Sequence, residues 1–453
     1  MRPAWGLLFC LAVAPTGGFA ADDLGGFDAP VGDEFGGFDA PVETASAPSA
    51  APTSRLDIDG SATLSAWYGF ARKEPPPGAP DYRGVNRLRA KLIVEAEADL
   101  SPRWKGVVGG AGFYDAAYAA HGRDAYPESA LAAYESEFEL REAYVRGRLA
   151  EGIDVVAGRQ IAVWGTSDNL RVVDVINPID NRQPGMTDIE DIRLPVGMVR
   201  VDAFAGAWRL SLLVVGENRF DKLPADGGPY DPSPGPSPVD TIPDGAPEYG
   251  AALTGVFSGW DLSFHFADVY DNAGRLDPIP GGVRRVHDRV TLVGVAADVA
   301  LGDWIVKGEA ARITGGRFFA DPTADRGRTD GMVGLEYYGL SDQMVAVEGV
   351  ARRIDDHLPR MASGPDGVEE TQSQWAIRYT ADLLRDRLHL LGVGLFSGFD
   401  GAGGGVVRLS AGYDLAAALT ATGGATWYRA GDEPLFAAFD DNDTLFIDLK
   451  YSF

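Results

Sequence analysis

Between Trp164 and Pro195 the sequence sets carboxylates and guanidinium groups among aliphatic side chains: Asp168, Arg171, Asp174, Asp180, Arg182, Asp188, Asp191 and Arg193 alternate with Leu170, Val172, Val173, Val175 and Ile176. A loop bathed in water has no use for that many aliphatic residues, whereas a loop folded into an enclosed space buries them. Folded inward, the eight charged residues become candidates for a charged constriction in an aqueous lumen. The same groups could instead form buried ion pairs that merely hold the segment against a wall, and at this level both readings stand.

Other chemistry is sparse. The five histidines, His121, His265, His287, His357 and His389, include no pair at metal-ligand spacing, so no metal is expected. Asp440-Asp-Asn-Asp443 offers hard oxygens for Ca²⁺ but reads more simply as an acidic turn. No Gly-x-Ser-x-Gly motif is present, which argues against an acyl hydrolase. The single cysteine, Cys10, lies in the N-terminal apolar run, behind a Phe9 too large for a lipidation signal, so thiol chemistry, disulfides and lipid anchoring are not expected. No cofactor and no catalytic residue are assigned.

The elements that would position the charged segment are strands. Leu56, Ile58, Gly60, Ala62, Leu64, Ala66, Tyr68 and Phe70 alternate with Asp57, Asp59, Ser61, Thr63 and Ser65. The next segment repeats the pattern, Leu88 to Leu100 opposite Arg87, Arg89, Lys91, Glu95, Glu97 and Asp99. Period-two alternation sustained this long exceeds the strand of about five or six residues usual in soluble proteins and fits a tilted bilayer crossing. Strands are expected over 56–70, 86–99, 104–114, 137–149, 153–164, 197–205, 207–216, 248–258, 260–270, 285–299, 304–314, 329–339, 342–354, 371–383, 387–398, 405–415, 419–429 and 443–453. The connections alternate between tight turns and long polar loops, the asymmetry of an outer-membrane barrel, and the even count of about 18 puts both ends of the barrel on the periplasmic side. A barrel of that size has a lumen. Its inner wall would include Arg87, Arg89 and Lys91 toward the outer mouth and Glu95 and Glu97 toward the other, a separation that implies a field along the lumen.

The termini fit this class. Leu445, Ile447, Leu449, Tyr451 and Phe453 alternate with polar residues up to a terminal aromatic, which resembles the C-terminal strand read by the barrel-assembly machinery, with Tyr451 and Phe453 as the signal. At the other end, Arg2 precedes an apolar stretch, a Pro-Thr-Gly-Gly breaker and Ala20, the pattern of a signal peptide cut after residue 20. Residues 21–55 are rich in Ala, Pro, Ser, Gly and Asp and read as a disordered periplasmic tail. Within the tail, Gly25-Gly-Phe-Asp-Ala-Pro-Val31 recurs at Gly36–Val42, making Phe27 and Phe38 candidates for paired docking to a periplasmic partner.

Composition narrows the function. The 453 residues carry 40 Lys+Arg against 66 Asp+Glu, a formal net charge of −26, so nucleic acid is not a partner. Outer-membrane lipid and lipopolysaccharide are the expected surroundings.

The segments Glu139-Leu-Arg-Glu-Ala-Tyr144, Gly158-Arg-Gln160, Trp164-Gly165, Asn177-Pro178 and Leu194-Pro195-Val196 resemble the porin-like outer-membrane barrels of proteobacteria that carry a domain of unknown function. Genes of that family often lie near RND-superfamily, MMPL-like exporters and an outer-membrane lipoprotein with a LolB-like fold. The resemblance implies a barrel, an RND-type exporter as partner, and a part in moving a hydrophobic or lipid-like molecule across the envelope. It implies no substrate and no catalytic role.

The reading is an all-β protein, a transmembrane antiparallel barrel of residues 56–453 with 165–196 folded inward, acting as a pore or export component without chemistry. The rival readings are a closed interaction barrel working with a periplasmic partner, and a barrel hydrolase.

Overall fold

The computed structural model describes residues 56–186, 192–232, 238–243, 245–362 and 367–453. The expected signal peptide, the repeat-bearing tail with Phe27 and Phe38, and Asp188 and Asp191 lie outside the described residues.

Eighteen antiparallel strands form one sheet, here numbered in chain order. They are β1 (Leu56–Gly69), β2 (Gly84–Ser101), β3 (Trp104–Asp115), β4 (Ser136–Ala150), β5 (Ile153–Gln160) and β6 (Val196–Ala205). There follow β7 (Trp208–Val215), β8 (Glu248–Phe257), β9 (Trp260–Tyr270), β10 (Arg289–Leu301), β11 (Trp304–Phe318) and β12 (Asp321–Leu340). The last are β13 (Gln343–Ile354), β14 (Thr371–Leu383), β15 (Leu388–Ser397), β16 (Gly404–Ala416), β17 (Leu419–Arg429) and β18 (Thr444–Ser452). Each pairs with its neighbour in sequence, and β18 pairs back onto β1 in register from Ser61–Ser452 to Gly69–Thr444, so the sheet has no free edge. At that seam Gly60 and Phe453 exchange backbone hydrogen bonds at 2.9 Å. A Cβ on Gly60 would lie 2.6 Å from the Phe453 ring, so the missing side chain makes room for the terminal aromatic.

Alternation sorts the two faces. Leu64, Leu92, Phe138, Val333 and Ile447 point outward and are exposed, as lipid-facing residues must be, while Trp67, Arg87, Glu309 and Glu348 on the other face are buried. Four tight turns are each followed at once by tryptophan, Trp104, Trp208, Trp260 and Trp304, and Phe257 stacks on Trp260 at 4.2 Å. This aromatic girdle marks the interface on the short-turn side. The long connections leave from the opposite rim and contain the short helices Ala117–His121, Glu128–Tyr134 and Pro434–Phe439.

Three expected boundaries move. β5 ends at Gln160 instead of 164, because the Asn177 side chain accepts the Ala162 N–H at 2.7 Å and takes the chain off the sheet. β10 begins at Arg289 instead of 285, because 282–286 pairs with 275–279 and with 239–241 in a separate three-stranded sheet outside the barrel. β11 and β12 run on to Phe318 and Asp321, so their hairpin projects beyond the other strands.

Candidate functional site

The 161–195 connection lies inside the barrel. Leu170, Val172, Val173 and Ile176 are buried in one apolar cluster with the inward-facing wall residues Leu213, Ala267, Leu292, Ala311, Met332 and Val350. Burying aliphatic side chains on both surfaces drives the docking, and two wall glycines make the approach close: Gly294 faces Val173, and Gly250 faces the Trp164 ring, where Cβ atoms would stand 2.6 and 2.8 Å away.

Two wall carboxylates direct the loop. Glu309 of β11 accepts the backbone N–H groups of Thr166 at 2.6 Å, Ser167 at 2.9 Å and Val173 at 3.2 Å. Glu348 of β13 accepts those of Asp168 and Asn169, both at 2.9 Å, and the Ser167 hydroxyl at 3.1 Å. Backbone donors buried in the lumen need acceptors, and ionised carboxylates give the stronger bonds. Gly165 turns the chain at φ 87°, and a Cβ there would sit 2.4 Å from Glu309 Oε1.

The far end of the loop reaches a second arc of the wall, three to six strands round from β11 and β13. Tyr428 of β17 donates to the Pro184 carbonyl at 2.6 Å, and Arg408 of β16 donates to that of Met186 at 3.4 Å. Asn177, fully buried, ties the loop to itself by donating to the Leu194 carbonyl at 2.9 Å while accepting from Ala162.

The charged residues singled out in the sequence do not gather at one point. Asp168 pairs with Lys307 of β11 at 2.8 Å, and Lys307 also pairs with Glu336 of β12. Asp174 takes Arg171 and Arg193 together, each at 3.0 Å, wholly within the loop. Burial would raise the Asp174 carboxyl, but the two guanidinium groups outweigh it and hold it below the ordinary carboxylate range. Arg182 grips Asp180, the Ala133 carbonyl at 2.7 Å and Glu137 of β4 at 2.6 Å. Glu137 also receives Lys222 at 2.5 Å, and Glu139 receives Lys222 at 2.9 Å and Arg219 at 2.8 Å. These are three separate ion-pair groups, one on the wall, one inside the loop and one between loops.

On the wall, Arg87, Arg89, Lys91, Glu95 and Glu97 all sit on the inward face of β2. Arg87 and Arg89 share Asp115 of β3, at 3.7 and 3.4 Å. Glu97 is matched by Lys105 and Arg146, both at 2.6 Å, and Glu95 interacts with Arg141 of β4. Neighbouring strands thus offset much of the charge separation that β2 alone carries. Tyr451 and Phe453 point outward at the short-turn rim, their ring centroids 6.2 Å apart.

Glu309, Glu348, Lys307, Glu137 and Lys222 were not singled out from sequence. Alternation gives the strand charges among them inward positions, but nothing local tells which inward charge meets a loop residue 45 to 180 positions away, and Lys222 lies on no strand.

Aromatic side chains of the long connections also cluster. Tyr118, Tyr126, Leu131 and Tyr134 form one cluster. Tyr230, Phe436 and Phe439 join Tyr428 in another, with Tyr230 and Phe439 ring centroids 5.8 Å apart. The acidic turn of 440–443 serves structure: Asp440 accepts the Ala430 N–H at 3.2 Å and Asp443 that of Tyr428 at 2.8 Å. Among the described residues no three His, Asp or Glu side chains stand together as a metal site.

The family described as "Protein of unknown function (DUF1302)" matches residues 81–453, which is all but β1 of the barrel. This chain belongs to that family. No curated protein matches the chain. Among solved structures, the DUF1302 chain is similar to OccAB3 of Acinetobacter baumannii, at 12% identity and a TM-score of 0.54, over 88% of this chain and 99% of that one. It is also similar to the outer membrane protein OpdK of Pseudomonas aeruginosa, at 10% identity and 0.51, over 88% and 99%. A third likeness is to OccK2 (OpdF) of Pseudomonas aeruginosa in complex with glucuronate, at 13% and 0.51, over 88% and 97%. These likenesses concern the fold, and with the lipid-facing band and girdle they place the DUF1302 chain in the bacterial outer membrane.

Proposed function

We propose that this protein is an outer-membrane pore for a small polar solute, with the 161–195 loop as its constriction and no chemical turnover. The observation that carries the proposal is the loop itself, which leaves the wall between β5 and β6 and docks inside the lumen on Glu309 and Glu348 of β11 and β13 and on Tyr428 and Arg408 of β17 and β16. A polar solute is favoured over a lipid-like one because the apolar wall residues at loop level are already covered by Leu170, Val173 and Ile176, which leaves charged groups to meet whatever passes. In this reading residues 1–20 are removed on secretion from a Gram-negative cytoplasm, Tyr451 and Phe453 are met by the assembly machinery, lipopolysaccharide surrounds the outer rim, and Phe27 and Phe38 dock a periplasmic or RND-type partner. Export of a lipid-like molecule, implied by the family resemblance, is the second reading.

Single-channel conductance of the refolded protein in a planar bilayer, beside a deletion within 167–193, tests the proposal. A steady conductance that rises on deletion supports a constricted pore. Silence in both overturns it in favour of a closed barrel or a lipid path.

A further inference from the structure

A cavity opens on the outer side of the docked loop, lined by Trp67, Arg72, Arg87, Arg89, Asp115 and Tyr230 among others, with about 20 Å³ of accessible volume. That is room for about one water-sized group, such as a halide ion or a single carboxylate oxygen. Its lining carries three guanidinium groups against one carboxylate, Asp115.

Two of these cations are poorly served by the protein, whereas Arg89 donates to the Tyr134 carbonyl at 3.0 Å and to Asp115 at 3.4 Å. Arg87 is 7% exposed, and its nearest anion is Asp115 at 3.7 Å, too long for a hydrogen bond. None of the described residues accepts a hydrogen bond from its guanidinium, whose Cζ lies 3.3 Å from the Trp67 ring centroid. Asp115 is spent elsewhere: it accepts the Leu88 N–H at 2.9 Å and the Ala117 N–H at 3.2 Å, and Arg89 Nε at 3.4 Å. Arg72 gives one arm to the Pro229 carbonyl at 2.9 Å, but its buried Nε has no partner. Burying a guanidinium without acceptors is unfavourable, and a small anion set against Arg87 would relieve it.

We infer that this cavity is a binding subsite for a small monoanionic group, held by Arg87 over Trp67 with Arg72 and Arg89 beside it. The group is either the carboxylate of a permeating solute or a free inorganic anion. The first source rests on the pore reading, whereas the site itself does not.

Trp67 beneath Arg87 supplies the readout. Refolded protein is titrated with sodium acetate, sodium chloride and the neutral isostere acetamide, in a background of a bulky sulfonate salt at constant ionic strength, and fluorescence is followed against the Trp67→Phe variant. The expected result is a saturable Trp67-dependent change with acetate and none with acetamide, weakened at least tenfold in Arg87→Gln and less in Arg87→Lys. Acetate without chloride marks a carboxylate site, and both together mark a general small-anion site. An equal response to acetamide, no response to either anion, or an unchanged titration in Arg87→Gln overturns the inference. Arg72→Gln, in a loop, repeats the test without altering a strand, and gel mobility before and after heating verifies that each barrel is folded. Conductance of the same preparations separates the failures: a conducting barrel blind to acetate loses only the subsite, and a silent barrel that binds acetate loses only the pore.

Discussion

Glu348 of the barrel wall accepts the backbone N–H of Asp168 at 2.9 Å across 180 residues of sequence. With Glu309 doing the same for Thr166, the resting position of the loop depends on two carboxylates that face a lumen and not on loop-to-loop packing alone.

Neutralising those anchors should loosen the loop while sparing the barrel. In Glu309→Gln/Glu348→Gln the bonds lose their charge assistance, about 1 kcal/mol for each bond, the difference between a charged and a neutral acceptor. Single-channel records should show open events at least about tenfold more frequent than in the parent. Records indistinguishable from the parent would show that apolar burial alone sets the position.

Gly165 offers a steric counterpart. Its φ of 87° and the 2.4 Å between a built Cβ and Glu309 Oε1 make Gly165→Ala strained and clashing, with an expected cost of about 1–3 kcal/mol. The variant should reproduce the conductance phenotype of the carboxylate double mutant with the wall charges intact.

Asn177 should matter for stability instead of selectivity. Asn177→Ala leaves the Ala162 N–H and the Leu194 carbonyl without partners in a buried setting, costing about 1–3 kcal/mol. Protease sensitivity within 161–195 should rise while the heat-modifiable barrel band persists.

A pH dependence follows from Asp221, which accepts the Ile179 N–H at 2.8 Å. Burial pushes its carboxyl up to about 7, although that hydrogen bond and Arg171 pull the other way. With the loop undocked Asp221 would lose its proton near the ordinary value of 3.8, so between there and about 7 the docked form holds more protons than the undocked one. Docking is therefore strongest at the acid end, weakens as pH rises through this window and levels off above it. The protection factor of the Ile179 amide, its exchange corrected for the intrinsic rise in rate with pH, should fall over that range in the parent and stay flat in Asp221→Asn.

The fold was legible because the bilayer imposes a period of two over whole strands: Leu56 to Phe70 and Leu88 to Leu100 show it plainly, and the loop's aliphatic residues betray an enclosed setting. The hairpin of β11 and β12 was read too short because Gly315, Gly316 and Gly327 look like turn residues, yet the chain continues as paired strand outside the membrane. The small sheet of 239–241, 275–279 and 282–286 was missed because its strands, of three to five residues, have no room for a period to show. The grouping of the constriction charges was hidden for another reason. Asp168 finds Lys307, and Arg182 finds Glu137, through barrel closure, which no local spacing encodes.

The span of the loop's anchors also sets an order of events. Residues of 166–186 are held by β11, β13, β16 and β17, up to 244 residues downstream, and loop closure over such distances is slow. During synthesis and insertion the loop can meet β4 and β7 to β11 first but lacks its β16 and β17 anchors until the last strands arrive, so a half-assembled barrel is incompletely obstructed. The zipping of β18 onto β1 and the seating of the loop thus form one late step, and a defect in the final strand would compromise the permeability barrier of the membrane as well as the fold.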